Sequence, residues 1–383
     1  MMVRSAFTAC WLAWRILSHE KGRSVLAGVG VFIAILLVFV ELGFYIAVPQ
    51  GGMLVYDHLR FDLLLCSKNY AFQAEPSQFP RQRLAQAAKV SGVTQVTPLL
   101  FAGAKWQDPR GGLRLDAFII GLDPAAHPFA VESIERQENL LAQPDTMLVD
   151  DATRPIFGPL SPGTVLLLND HKVTIGGDYH LGTGFLGIGV AVLNEANFFR
   201  LFAPRPADFV NLGLIMLAPG RKADEAAVEL ARALPDDVQV FTRGTLQQHE
   251  DAYWTTRTSV GLIFGSGLIV SLIVGVVVLY QTLATQIHRH LPEFVTLKAI
   301  GYTDRYLTAA VMIEAAFLVL LAFLPAVAAT LAIYAQIRGA TLLPVTLKLP
   351  QFVGVLTLTL LMSAIAAYFA LGTLRRADPA DVF

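Results

Sequence analysis

The sequence predicts a membrane protein of four transmembrane α-helices, with a large extracytoplasmic α+β domain inserted between helices 1 and 2. Three observations carry that expectation. Hydrophobic residues fill 54% of the 383 positions and charged residues only 15%, against roughly 25% charged in an ordinary soluble domain. The apolar residues gather into four runs, each long enough for the roughly 20 residues that a bilayer core demands. Between the first and second runs, residues 49–258 have another texture, with turns, polar helices and most of the charge.

Taken in order, residues 1–24 place Phe7, Trp11, Trp14 and Leu17 at helical spacing. That is the pattern of an amphipathic helix on the cytoplasmic leaflet, with tryptophans at headgroup depth. Residues 25–48 form transmembrane helix 1. Its apolar core exceeds the roughly 7–15 residues of a signal-peptide core, and no small-x-small cleavage pattern follows, which favours an uncleaved anchor. Transmembrane helix 2 is expected over 259–284, and a cytoplasmic loop over 285–306. Helix 3 spans 307–335, with Pro325 as a kink site. An extracytoplasmic loop covers 336–351, helix 4 covers 352–374, and a cytoplasmic tail covers 375–383.

Orientation follows from lysines and arginines in short loops. Arg4, Arg15, Lys21, Arg23, Arg289, Lys298, Arg305, Arg375 and Arg376 fall on one side, and only Arg338 and Lys348 on the other. Both termini are therefore expected on the cytoplasmic side of the membrane. Cys10 and Cys66 then lie on opposite sides and cannot pair within one chain. The formal net charge of -1 argues against a nucleic-acid partner. Two cysteines exclude a disulfide scaffold and a multi-cysteine metal site.

Within 49–258 the same pattern occurs twice. Phe61–Leu65 reads as a strand, 79–90 as a helix and Val93–Phe101 as a strand. Leu212–Leu217 reads as a strand, 222–234 as a helix with Ala226, Leu230 and Leu234 on one face, and Val238–Phe241 as a strand. Two β-α-β units at the ends of one domain suggest a split module around an inserted part, about 110–205, rich in β signals. There Val165–Leu168 and Lys172–Ile175 flank Asn169-Asp170 as a hairpin. Residues 245–256 read as a helical stalk into helix 2.

Two ionisable residues fall inside spans, Glu41 and Glu314. Such groups face a bundle interior or water. A relay is the sharper reading, but their expected depths differ by on the order of 10 Å, which argues against one shared site. Gly261, Gly265, Ser271 and Gly275 give span two small residues that allow close helix packing, within one chain or across a dimer.

Catalytic signatures are sparse. No Walker P-loop, His-Glu-x-x-His or Gly-x-Ser-x-Gly occurs, so no catalytic residue, cofactor-binding residue or metal ligand is assigned. Residues 182–187 match Gly-x-Gly-x-x-Gly but lack the surrounding βαβ unit and downstream acid; they read as a loop. His288 and His290 flank Arg289, which disfavours a metal site.

The loop YQTLATQIHRHLPEFVTLKAIGYTDRYL, Tyr280–Leu307, is the most informative segment. Phe294, Leu297 and Ile300 form an apolar helical face beside Glu293 and Lys298, and Gly301 stands where a C-cap belongs. A short helix of this kind suits docking into a partner's groove, or rests on lipid as a connector. Its segment HLPEFVTLKAIGY resembles the coupling helix of MacB/FtsX-type ABC permeases. The N-terminal run AWRILSHEKGRSVLAGVGVFIAILLVFVELGF and the closing RRADPADVF are similar to the DevC-type branch. That branch carries Gln where Glu41 stands, a departure here.

The resemblance implies a homodimeric, non-catalytic permease whose residues Pro292, Glu293, Phe294, Leu297, Lys298, Ile300 and Gly301 engage a separate ABC ATPase subunit. ATP and Mg would be bound by that partner, with no cofactor in this chain. The periplasmic MacB-like domain would meet a membrane-fusion (adaptor) protein and a TolC-like outer-membrane channel. The mechanism would be mechanotransmission, moving a lipid-like or other amphiphilic substrate without a path between the spans, with membrane lipid around them. Two other outputs share this topology: FtsX-like signalling to a periplasmic hydrolase, and LolC/LolE-like lipoprotein release.

Overall fold

The computed structural model describes residues 21–182, 189–289, 291–341 and 343–376. The expected amphipathic helix over 1–24 falls almost wholly outside the described residues, as does most of the 182–187 glycine motif. The chain divides into two compact units, a helical one (Met1–Ile46, Ser259–Gly339 and Val345–Phe383) and an α+β one (Ala47–Thr258 and Ala340–Pro344).

In chain order, α1 (Lys21–Asp57) leads to β1 (Leu63–Ser67), β2 (Phe79–Pro80), α2 (Gln82–Ala87), β3 (Val93–Gln107) and β4 (Leu115–Leu122). Then come α3 (Glu132–Glu135), α4 (Glu138–Leu141), β5 (Thr146–Asp150), β6 (Val165–Leu168), β7 (His171–Tyr179) and β8 (Val190–Asn194). The domain continues with α5 (Glu195–Leu201), β9 (Phe209–Val210), β10 (Leu212–Leu217), α6 (Ala223–Ala233), β11 (Val238–Thr242) and α7 (Arg243–Ala252). A π-helical turn, Tyr253–Arg257, precedes α8 (Ser259–Arg289), α9 (Leu291–Ala299), α10 (Asp304–Thr341) and α11 (Leu349–Arg376).

In the α+β unit the strand order is β11-β1-β10-β3-β4-β8-β5-β7-β6, and β3 also pairs with β6. The first four strands are antiparallel neighbours. With α2 crossing from β1 to β3 and α6 from β10 to β11, they make the split β-α-β module that the sequence implies. The inserted strands return to β3 and close a ring, β3-β4-β8-β5-β7-β6. Closure removes exposed edges. The long β3 serves both parts: residues up to Leu99 pair with β10, and Leu99–Trp106 pair with β4.

Side chains alternate across the sheet. Leu63 and Leu65 join one core, with Leu84, Ala226 and Leu230; Leu64 and Cys66 join the other, with Met53, Tyr56 and Leu246. Period-two alternation puts successive residues on opposite faces, and all five positions of β1 are buried because both faces are covered. The predicted α6 face of Ala226, Leu230 and Leu234 is the buried one. Asn169 and Asp170 adopt φ of 49° and 66°, as a two-residue type I′ hairpin between β6 and β7 requires.

In the helical unit, four helices among the described residues are long and apolar enough to cross a membrane: Gly28–Asp57, Ser259–Arg289, Tyr306–Ala340 and Leu349–Gly372. The first continues through Pro49, beyond the span boundary drawn from hydropathy. Their core includes Val38, Phe39, Leu279, Val311, Leu318, Phe323, Met362 and Ala366. The Tyr334 hydroxyl donates to the Phe39 carbonyl at 2.5 Å, joining α10 to α1. A polar group in an apolar bundle needs such a partner.

Candidate functional site

The candidate site is the short α9 and its exit. The Tyr302 N–H donates to the Leu297 carbonyl at 3.1 Å, and Gly301 has φ of +109°. Together these make a Schellman ending, with Gly301 in the left-handed region that an L side chain resists. The predicted C-cap is thus where the helix stops. The Thr296 hydroxyl donates to the Pro292 carbonyl at 2.7 Å.

Burial along α9 separates its residues. Val295 is 3% exposed, and Leu297 is half-buried against the helical core. Pro292 and Glu293 are exposed, and Ile300 is 72% exposed. Ile300 therefore does not share a buried face with Leu297; it projects with Gly301 and Tyr302 at the C-terminal end. The backbones of Phe294 and Lys298 lie within α9. Val295 is the residue that the apolar-face reading passed over. Its signal was present in part, since Leu291 and Val295 form an apolar pair four residues apart.

The two intramembrane acids have different surroundings. Glu41 packs on α8, where a Cβ added to Gly267 would lie 2.5 Å from its Oε2. Glu314 is 4% exposed, and its Oε1 has no hydrogen-bond partner among the described residues. Of the small residues on α8, Gly261, Ser271 and Gly275 are buried within the chain. A Cβ at Gly275 would lie 1.9 Å from Met362 Cε and 3.5 Å from Ala34 Cβ, so this glycine admits α11 and α1 closely. Gly265 is looser, its nearest neighbour being Tyr45 Cε2 at 3.6 Å from an added Cβ.

In the α+β unit, Asp150, Asp151 and His180 place ligand atoms within 4.8 Å of one another. Sequence reading missed this grouping because the residues come from two strand ends. Asp150 is buried and accepts from the backbone N–H of Ala152, Leu181 and Gly182. Burial raises its carboxyl above the usual range, against those donors. His180 Nδ1 lies 2.6 Å from Asp151 Oδ1, and that hydrogen bond raises the imidazole's pKa. The Asp150 oxygens thus serve the backbone around the end of β5, while the Asp151 and His180 side chains engage each other. A cleft of about 590 Å³ is lined by Asp123, His127, Glu138, Asn194 and Glu195 among others. Its acids are engaged internally: Glu138 meets His127 at 2.6 Å, and Glu195 pairs with Arg81.

Part of the helical region is similar to a known family. Residues 265–379 match the family model described as FtsX-like permease C-terminal, a stretch that contains α9 and the two spans after it. No match was found among curated proteins. Among solved structures, the periplasmic region of MacB from Actinobacillus actinomycetemcomitans aligns with 10% identity and a TM-score of 0.37, covering 51% of this chain and 94% of that one. The extracellular domain of the noncanonic ABC-type transporter YknZ from Gram-positive bacteria aligns with 13% identity and a TM-score of 0.33, covering 48% and 99%. The C-terminal part of the chain is thus similar to FtsX-like permeases, and an α+β domain stands in sequence between the first membrane-length helix and the other three.

Proposed function

We propose that this chain is the permease subunit of an ABC exporter of DevC/MacB type, coupling ATP hydrolysis in a separate ATPase to efflux of a lipid-like or other amphiphilic substrate. The observation that carries the reading is α9. It is a short, capped helix between two membrane-length helices, anchored by Val295 and presenting Ile300 and Glu293 outward. A groove on an ATPase would take that exposed end, and the ATPase would supply the ATP and Mg chemistry. The excess of Lys and Arg in the loops on the same side supports a cytoplasmic location for α9 and both termini. The MacB neighbour is described as periplasmic and the YknZ neighbour as extracellular, which supports an extracytoplasmic α+β domain here. An adaptor protein and an outer-membrane channel would meet that domain, and the permease would act as a homodimer. Motion would pass along the helices by mechanotransmission: ATPase closure displaces α9, and α1 and α8 carry the displacement outward.

The test uses Ile300→Asp in the full chain. Because Ile300 is 72% exposed, the change should leave stability within about 0.5 kcal/mol. ATPase activity that co-purifies with the chain from native membranes should fall at least about tenfold, or about 1.4 kcal/mol of docking energy. Undiminished recovery would remove α9 as the docking element.

A further inference from the structure

Three distant parts of the α+β unit meet at one buried carboxylate. Glu250 on α7 is 0% exposed. Its Oε1 accepts the hydroxyl proton of Tyr70, in the loop after β1. Tyr70 Oη lies 2.7 Å from Tyr56 Oη, on the end of α1, and both tyrosines are at most 3% exposed. The Gln73 backbone N–H and the Trp254 indole flank the same carboxylate. The backbone of α1 closes over it: a Cβ at Gly52 would lie 3.1 Å from Glu250 Oε2 and 2.8 Å from Trp254 Nε1.

Among the described residues, none of the groups that act on this carboxylate is a cation. Facing it are Tyr56 from α1, Cys66 from β1, Tyr70 from the loop, and Asp251 and Tyr253 following it on the chain. His249, the preceding residue, packs against Tyr70 with ring centroids 5.4 Å apart and planes tilted by 49°, and turns Nε2 to the Ala71 carbonyl at 3.1 Å. Arg243 at the start of α7 is engaged by the carbonyls of Tyr56 and Leu59. A buried carboxylate with neutral donors and no cation is finely placed between its two protonation states.

We infer that Glu250 is the proton-binding element of a latch, which holds the end of α1 to α7 more firmly when protonated than when ionised. The hydrogen-bond line can run in either direction. With Glu250 ionised, Tyr70 donates to it and can accept from Tyr56. With Glu250 protonated, the carboxyl donates to Tyr70, whose hydroxyl turns toward Tyr56. Uptake of one proton thus keeps the contacts and removes a buried charge. Burial pushes the Glu250 carboxyl up to about 7, with the Tyr70, Gln73 and Trp254 hydrogen bonds opposing and Asp251 adding to the rise. A folded value above the ordinary one means that the closed contact holds a proton which the opened contact releases. Its stability therefore increases as pH falls through neutrality and levels off below the ordinary carboxyl value of about 4.3. The latch requires no export activity, so its failure and that of the exporter reading are separable.

Hydrogen exchange of residues 52–57 and 243–252, in the full chain in lipid nanodiscs, tests it. After correction for intrinsic exchange, protection should rise as pH is lowered from about 8 to about 5, by at most about tenfold per pH unit. Glu250→Gln should abolish that dependence, while His249→Gln, which removes the neighbouring imidazole, should retain it. Tyr70→Phe deletes a donor to the ionised form and should move the transition to higher pH. It decides the matter if Glu250→Gln fails to fold. Flat protection in the unaltered chain, persistence of the dependence in Glu250→Gln, or an unmoved transition in Tyr70→Phe would each overturn the latch.

Discussion

In the α+β unit, β1 and β5 are buried at every position, whereas α8 in the helical unit leaves Leu262, Ile263, Ile269 and Ile273 at least 58% exposed. Both segments are strongly apolar, so composition does not separate them. The difference is the solvent each was selected against. Covering β1 and β5 removes apolar surface from water, the main driving force for a water-facing fold. A helix in lipid gains little by hiding leucine, and coheres through close backbone approach and a few internal hydrogen bonds. Polar groups follow the same division. The α+β unit carries ion pairs such as Arg83–Asp237 at 3.0 Å. In the helical unit, Thr285, Thr330 and Thr357 turn their hydroxyls back to their own helix carbonyls, a local solution that needs no water.

Substitutions in the full chain, followed by equilibrium unfolding in detergent, can break or sharpen this comparison. The largest effect is expected for Trp106→Ala. Trp106 is 2% exposed and meets Phe157 edge-on at 5.3 Å, so truncation should cost the α+β unit about 3–5 kcal/mol. Next comes Gly43→Ala in the helical unit. An added Cβ there would lie 2.2 Å from Tyr334 Oη, itself fixed on the Phe39 carbonyl. Overpacking against a rigid ring should cost about 1–3 kcal/mol, with partial rescue by Tyr334→Phe. Gly275→Ala should cost less, because the group it meets is the flexible end of Met362. The smallest effect is expected for Leu262→Ala: at 72% exposure, a change within about 0.5 kcal/mol. A cost for Leu262 matching that for Trp106 would show that α8 is covered by protein, and the contrast between the units would fail.

Legibility in the sequence follows the range of the interactions involved. The α6 face, the Asn169-Asp170 hairpin and the Gly301 stop were readable because each is set within a few residues by periodicity, turn geometry or φ. The burial order along α9 was not. Phe294, Leu297 and Ile300 satisfy helical spacing as well as Val295 does, and only the neighbouring helices select which apolar stripe is covered. The full length of α1 was obscured too, because the boundary was drawn where the apolar run ends, although the helix runs on to Asp57.

By itself the sequence determined the four apolar spans, the α+β insert, and the family resemblance carried by the segment around α9. These depend on local hydrophobicity and short-range pattern, which every residue states for itself. The tertiary structure alone decided that β6 closes on β3, that Tyr334 reaches Phe39 past Gly43, and that Tyr56, Tyr70 and Glu250 share one buried line. Those contacts join residues far apart in the chain. Their energies come from packing and desolvation that exist only once the partners have met.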